Sequence, residues 1–293
     1  MFDLGIFTSY SFLIVALGTT LLAIAAAMVG TLTVLKGQSL IGDAVGHSSF
    51  PGIVLFFMIF RDRNPVILLL GAIFSGSLAF ILIQVFNRRS KLSLDNILAL
   101  TLSSFFGLGM VLKSFIQGNP DYRDASQAGL QNYIFGQAAY IMEGDVKLIL
   151  GISLAVLLII ALFFKEIKVF IFDEVYATSI GINPNFIYAI IMICAMSIIG
   201  VGLKLVGAIL ISSLLIVPAI AALQWSDNFS TVLISASAFA AASAISGSYI
   251  STIYRGMSTG PTIILILSSL AFISLIFGPR GFLAKYQKRR TIK

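Results

Sequence analysis

Within a long apolar run, Ser39-Leu40-Ile41-Gly42-Asp43-Ala44-Val45-Gly46-His47-Ser48-Ser49-Phe50-Pro51-Gly52 holds the chain's only histidine, with an aspartate four positions before it. On a helix, residues four apart share one face, with Cβ atoms about 5–6 Å apart. A carboxylate and an imidazole placed this way can grip one divalent cation, or pair with each other. The small neighbours Gly42, Ala44, Gly46, Ser48 and Ser49 leave room for a close helix or a passing ion. Ionisable groups inside a membrane segment are expensive to keep and mark transport or proton paths by default. Two readings stand side by side: Asp43 and His47 as ligands on a transport path, or as a buried pair that only fixes helix packing.

The elements that must position this pair follow from composition. The chain is 58% hydrophobic and 11% charged over 293 residues, with a mean hydropathy of +1.02. An ordinary soluble domain does not have this balance. Apolar runs recur along the whole length, where a transmembrane β-barrel would alternate polar and apolar residues in short strands. The fold class is therefore all-α: a polytopic transmembrane helical bundle of eight or nine helices, with 1–293 forming a single transmembrane domain. At about 20 apolar residues per crossing, spans are expected near 11–35, 41–60, 65–86, 94–116, 146–164, 186–203, 205–224, 229–253 and 261–279. The weakest division is near Gly200–Gly207, where Lys204 separates two apolar runs and one of them could be a partial, re-entrant piece. The first run lacks early basic residues and a small-residue cleavage site, so it reads as a retained helix rather than a signal peptide.

The net charge of +7 gives no argument for nucleic acid, because much of it sits in short clusters at segment ends. Arg88, Arg89 and Lys91, then Lys165 and Lys168, then the tail from Arg280 to Lys293 mark cytoplasmic turns by the positive-inside rule. Nine crossings then put the N-terminus outside and the C-terminus in the cytoplasm; an eight-helix count would put the N-terminus inside. The lone cysteine, Cys194, excludes an internal disulfide and a cysteine-based metal site. It reads as a small core hydrophobe.

Three further stretches stand out. The segment 117–145 is the longest polar connection and reads as an outer loop with a short helix around 128–140, either a docking lip or an ordinary solvated loop. In 165–185, Asp173 and Glu174 open a short amphipathic pattern, favourable at a helix N-terminus. Gly181 closes it, with Pro184 just beyond. A short helix capped at both ends on the cytoplasmic surface can press into a partner, or can simply lie at the interface. Later, Ala236 to Gly247 is rich in small residues that permit close helix approach in lipid, and Pro218 falls mid-helix, where it frees a carbonyl and bends the chain.

From Leu35-Lys36-Gly37-Gln38 through Asp43, His47 and Gly52, the chain resembles the signature of metal-ion ABC transporter permeases of the zinc/manganese/iron uptake class. Phe172-Asp173-Glu174-Val175-Tyr176-Ala177 through Gly181, Val206-Gly207-Ala208-Ile209-Leu210 through Pro218-Ala219, and Ser258-Thr259-Gly260-Pro261-Thr262 agree in order. The resemblance implies a type II ABC importer permease in a bacterial plasma membrane. It implies pairing with a second permease subunit, identical or not, with cytoplasmic ATP-binding subunits, and with an extracytoplasmic metal-binding protein. It also implies that Asp43 and His47 lie on the metal path, and that 172–182 docks into the ATPase through Asp173, Glu174, Ala177 and Gly181. Phe135-Gly136-Gln137-Ala138-Ala139 looks more like the manganese/iron branch than the zinc branch.

The donor types agree with that class: a hard oxygen and a borderline nitrogen suit Mn²⁺, Fe²⁺ or Zn²⁺. The cation is cargo, and no permanently bound cofactor is expected. No Gly-x-x-x-x-Gly-Lys-[Ser/Thr] stretch occurs, so ATP hydrolysis must come from a separate chain, and the protein itself is expected not to be an enzyme. A proton-coupled secondary metal transporter, with the pair as relay, is one alternative. A permease for a metal chelate such as haem or cobalamin is another, but has less use for an Asp/His pair. A zinc protease is excluded, since a single histidine cannot complete His-Glu-x-x-His.

Overall fold

The structure, a computed structural model, describes residues 9–62, 64–119, 122, 143–254 and 257–284. Among the described residues the chain forms helices and no strands. In order these are α1 (Tyr10–Leu35), α2 (Ile41–Ser48), α3 (Phe50–Phe60), α4 (Pro65–Arg89), α5 (Leu94–Gly118), α6 (Glu143–Leu162), α7 (Phe164–Phe172), α8 (Glu174–Ser179), α9 (Pro184–Leu223), α10 (Phe229–Ile253) and α11 (Thr259–Phe277). Nine stretches among the described residues are long and apolar enough to cross a membrane, from Phe12–Leu35 to Thr259–Ala284. They coincide with the nine expected spans to within a few residues, which is the larger of the two counts read from hydropathy.

Three details differ from the sequence reading, each for a local reason. The second span is two helices, not one, with the break at Ser49. Pro51 sits in the first turn of α3 and has no N–H to return to the carbonyl of His47 four residues back, so the helical ladder lapses there. The fifth span starts earlier than expected, because Glu143 and Asp145 form the first turn of α6, where the helix dipole favours acids. Third, the sixth and seventh spans run on as one helix, α9, interrupted at Gly207 by φ of 77° and ψ of 168°. That backbone geometry is open to glycine and costly for a side chain. Pro218 lies within the same helix without a recorded break in φ/ψ. The helix expected around 128–140, the Phe135–Ala139 stretch and the tail beyond Ala284 lie outside the described residues.

The contacts divide into two compact units. One comprises the described parts of Met1–Ser39, Ala138–Cys194 and Ser213–Lys293. There α1 packs on α10 and α6, and α10 packs on α11. The small-residue stripe is used as anticipated: Ala236, Ala240, Ser243, Ala244, Gly247 and Ser248 are buried along one face of α10. A side chain at Gly247 would strike the backbone of Ile263. The other unit comprises the described parts of Leu40–Gln137 and Ala195–Ser212. In it α3 packs on α4 and α5, and α2 packs on α5 and α4. Cys194 is buried and unpaired by disulfide, as a small core hydrophobe would be.

Candidate functional site

α2 is eight residues long and carries both candidate ligands, Asp43 in its first turn and His47 in its last. An acid at the N-terminal end and an imidazole at the C-terminal end both complement the helix dipole. The Asp43 Oδ1 and His47 Nε2 atoms are 3.6 Å apart, with side chains 31% and 21% exposed. That separation is too long for a direct hydrogen bond. Two donors each about 2.0–2.2 Å from one ion, spanning such a gap, subtend about 110–130° at the ion, within the range of tetrahedral coordination. The spacing therefore admits a shared cation as well as a loose ion pair between the two side chains. Among the described residues no group of three or more His, Cys, Asp and Glu side chains could hold a metal, so as ligands the pair would form an incomplete shell. Incompleteness suits a transient ligand, since a transported ion must leave as well as enter.

The His47 ring is held edge-to-face against Phe106 of α5, with centroids 5.3 Å apart at 88°. Phe106 also meets Phe50, at 6.0 Å. His47 Nδ1 is buried with no hydrogen-bond partner among the described residues. A metal-bound histidine usually donates its second ring N–H to a polar partner, and here an aromatic face is the neighbour that fixes the ring. Two contacts define how α5 covers the site, Phe106 on His47 and Gly109 on Phe50 and Pro51; beyond the end of α5, Tyr122 lies under the Arg61 guanidinium at 5.4 Å. The pairs keep a nearly constant offset in sequence, so α5 runs parallel to the α2–α3 pair. Lys113, buried at 7% exposure, is seven positions beyond Phe106 and so falls on the same stripe of α5. Behind α2, the Ser75 hydroxyl donates to the Ser48 carbonyl at 2.6 Å, tying α4 to the end of α2.

The second candidate region is α8. Asp173 is its N-cap, and its Oδ1 accepts from the Tyr176 N–H at 2.8 Å. At the other end the Gly181 N–H donates to the Thr178 carbonyl and the Ile182 N–H to the Ala177 carbonyl. Gly181 has φ +87°, the left-handed stop that glycine supplies. The short helix with two caps expected within 172–182 is thus present. Of the four residues named for docking, Asp173, Glu174 and Gly181 are exposed and Ala177 is not. Ala177 is 0% exposed, while Val175 is 82% and Tyr176 54% exposed. Glu174 is exposed and pairs with Lys36 at 2.8 Å. The sequence reading did not single out Phe106, which it saw only as one apolar residue among many; Val175 and Tyr176 it placed only within the 172–182 stretch, and Lys165 and Lys168 of α7 it read as a cytoplasmic turn rather than as a helix.

The model of the ABC 3 transport family matches residues 9–278. The chain belongs to that family. It is a polytopic membrane transport permease. It is 36% identical over 288 residues to the zinc transport system membrane protein TroC of Treponema pallidum, covering 98% of this chain and 96% of that one. It is 38% identical over 269 residues to the manganese transport system membrane protein MntC of Bacillus subtilis, covering 92% of this chain and 61% of that protein's length. Among solved structures, PsaBC from Streptococcus pneumoniae in complex with Fab superposes with a TM-score of 0.83 at 28% identity, covering 98% of this chain and 97% of the matched chain.

Proposed function

We propose that this permease is the membrane subunit of an ATP-driven importer of divalent transition-metal ions, manganese first and iron or zinc next. The observation that carries the reading is the Asp43–His47 pair, set 3.6 Å apart on a short helix within an apolar span. An oxygen and an imidazole nitrogen are the donors such ions prefer. Two copies of the permease, or this one and a close relative, would bring further donors to a shared path. The chain works as one transmembrane domain in a bacterial plasma membrane, with its C-terminus in the cytoplasm.

In this reading α8 is the coupling helix. Asp173 and Gly181 fix its two ends, Glu174 begins it and Ala177 seats it, while Val175 and Tyr176 meet a cytoplasmic ATP-binding subunit. An extracytoplasmic metal-binding protein delivers the ion. The relatives named for manganese and zinc transport support the substrate class. The test is uptake of radiolabelled Mn²⁺ and Zn²⁺ by the assembled complex in proteoliposomes. Uptake that requires ATP and ignores an uncoupler supports the reading. Uptake that collapses with an uncoupler and is indifferent to ATP replaces it with a proton-coupled carrier.

A further inference from the structure

Lys36 caps the C-terminus of α1, and its ammonium makes three contacts with one elbow of the chain. It pairs with Glu174 Oε2 at 2.8 Å, donates to the Phe170 carbonyl at 3.4 Å, and lies 4.1 Å from the centroid of the Phe170 ring. Phe170 is in the last turn of α7 and Glu174 opens α8, so one cation bridges the two helices across the Asp173 bend. A cation is favoured at the carbonyl end of α7 by the same dipole that favours the acid at the start of α8. An exposed ion pair alone would fix little. Here the lysine side chain is only 21% exposed, and the ring and carbonyl restrict it as well.

The chain that follows Lys36 is short and hydrogen-bonded. The Gly37 N–H donates to the Val34 carbonyl and the Gln38 N–H to the Thr33 carbonyl, with Gly37 at φ +73°. These two bonds close the C-terminal end of α1. Gln38 Oε1 then accepts from the Tyr188 hydroxyl at 2.7 Å, and the Tyr188 ring meets Phe170 at 6.3 Å. Only Ser39 and Leu40 remain before α2 begins, and Asp43 is its third residue.

We infer that Lys36 is a positioning residue for transport: it ties the α7–α8 elbow to the lead segment of the ligand helix, so that displacement of α8 is passed along the backbone to Asp43 and His47. The inference rests on the proposed docking of an ATP-binding subunit at α8. A merely structural lysine would hold the elbow in shape and leave the number of ATP molecules hydrolysed per ion unchanged.

The experiment therefore measures that number. The assembled complex carrying Lys36→Met, in proteoliposomes with Mn²⁺ as the probe, should retain its ATP-binding subunit and its ATP hydrolysis. Uptake should fall so that ATP consumed per ion rises about tenfold, the size of an ordinary coupling term. Lys36→Arg, which keeps the charge and the donors, should restore the wild-type ratio. An unchanged ratio in Lys36→Met overturns the inference, as does loss of the ATP-binding subunit, which would make Lys36 part of the docking surface alone. If Lys36→Met does not assemble, Tyr188→Phe removes the hydroxyl that bonds Gln38 and keeps the ring against Phe170. A ratio raised roughly threefold then supports the strap, and an unchanged ratio overturns it. Val175→Lys separates the two layers: capture of the ATP-binding subunit at the wild-type level removes the docking assignment of α8. Loss of capture there, with a wild-type ratio in Lys36→Met, removes only the role of Lys36.

Discussion

Gly52 of α3 and Gly71 of α4 abut so closely that a methyl group on either would strike the other's carbonyl oxygen. In lipid, where apolar burial does not drive helices together, such close approach supplies packing and little else can replace it. The contact lies five residues beyond His47 and helps to seat α3, the helix that follows α2. Gly52→Ala and Gly71→Ala should each destabilise the permease by about 1–3 kcal/mol through overpacking. Thermal unfolding in detergent, followed by monodispersity, measures this. A melting curve unchanged in both variants would mean that the helices separate there at no cost.

Asp173 caps α8 through the Tyr176 N–H. Asp173→Ala should weaken the helix by about 1 kcal/mol. In hydrogen exchange that is roughly fivefold faster opening over 174–179, with the long helices unaffected. Exchange at the wild-type rate would show that contacts along the helix, rather than its cap, hold it.

The docking face of α8 should be read from exposure rather than from small size. Val175→Lys places a charge on an exposed position, so insertion and assembly of the permease pair should persist while capture of the ATP-binding subunit is lost. Ala177→Lys should instead disturb the permease's own packing, because Ala177 is fully buried. Equal behaviour of the two variants, with normal folding in both, would contradict this division.

Orientation is testable at the two ends of α4. Asp62 and Lys91 are both exposed and flank Pro65–Arg89. An impermeant thiol reagent applied to intact cells should label Asp62→Cys and spare Lys91→Cys, with the buried Cys194 silent. The reverse pattern would invert the proposed topology.

The spans were legible in the sequence because lipid selects long apolar runs irrespective of tertiary detail. The Asp43–His47 pair was legible for a related reason: four-residue spacing on a helix is local, and polar groups stand out against an apolar background. What packs on the pair was not. Phe106 is one of 24 phenylalanines, and nothing in its neighbourhood marks it as the ring on His47. Ala177 shows the same limit from the other side. The sequence located a short capped helix, but which way a helix of six residues faces is set by what it lies against. The Pro51 break was written in the sequence and read through, because one missing N–H does not lower hydropathy.

The remaining prediction concerns Asp43 and His47 as metal ligands. Asp43→Asn keeps the shape and removes the charge that attracts a divalent cation. His47→Ala removes the chain's only imidazole, so no neighbouring histidine can substitute. Because the two atoms are 3.6 Å apart and not hydrogen-bonded, losing one does not strand the other in a broken bond. Truncating a close buried pair would cost about 3–5 kcal/mol, but both side chains here are partly exposed and the structural penalty should be well below that. Each variant should therefore insert and assemble at the wild-type level. Uptake of Mn²⁺ and Zn²⁺ should drop at least tenfold in each, since losing even a residue that only supports a metal ligand costs about 10–100-fold. The double variant should be little worse than either single one, since ligands of one ion act as a unit. The measurement is radiolabelled uptake into proteoliposomes holding equal amounts of assembled complex, with ATP hydrolysis recorded alongside. Full uptake in both single variants would leave Asp43 and His47 as a packing contact and remove the metal path from α2.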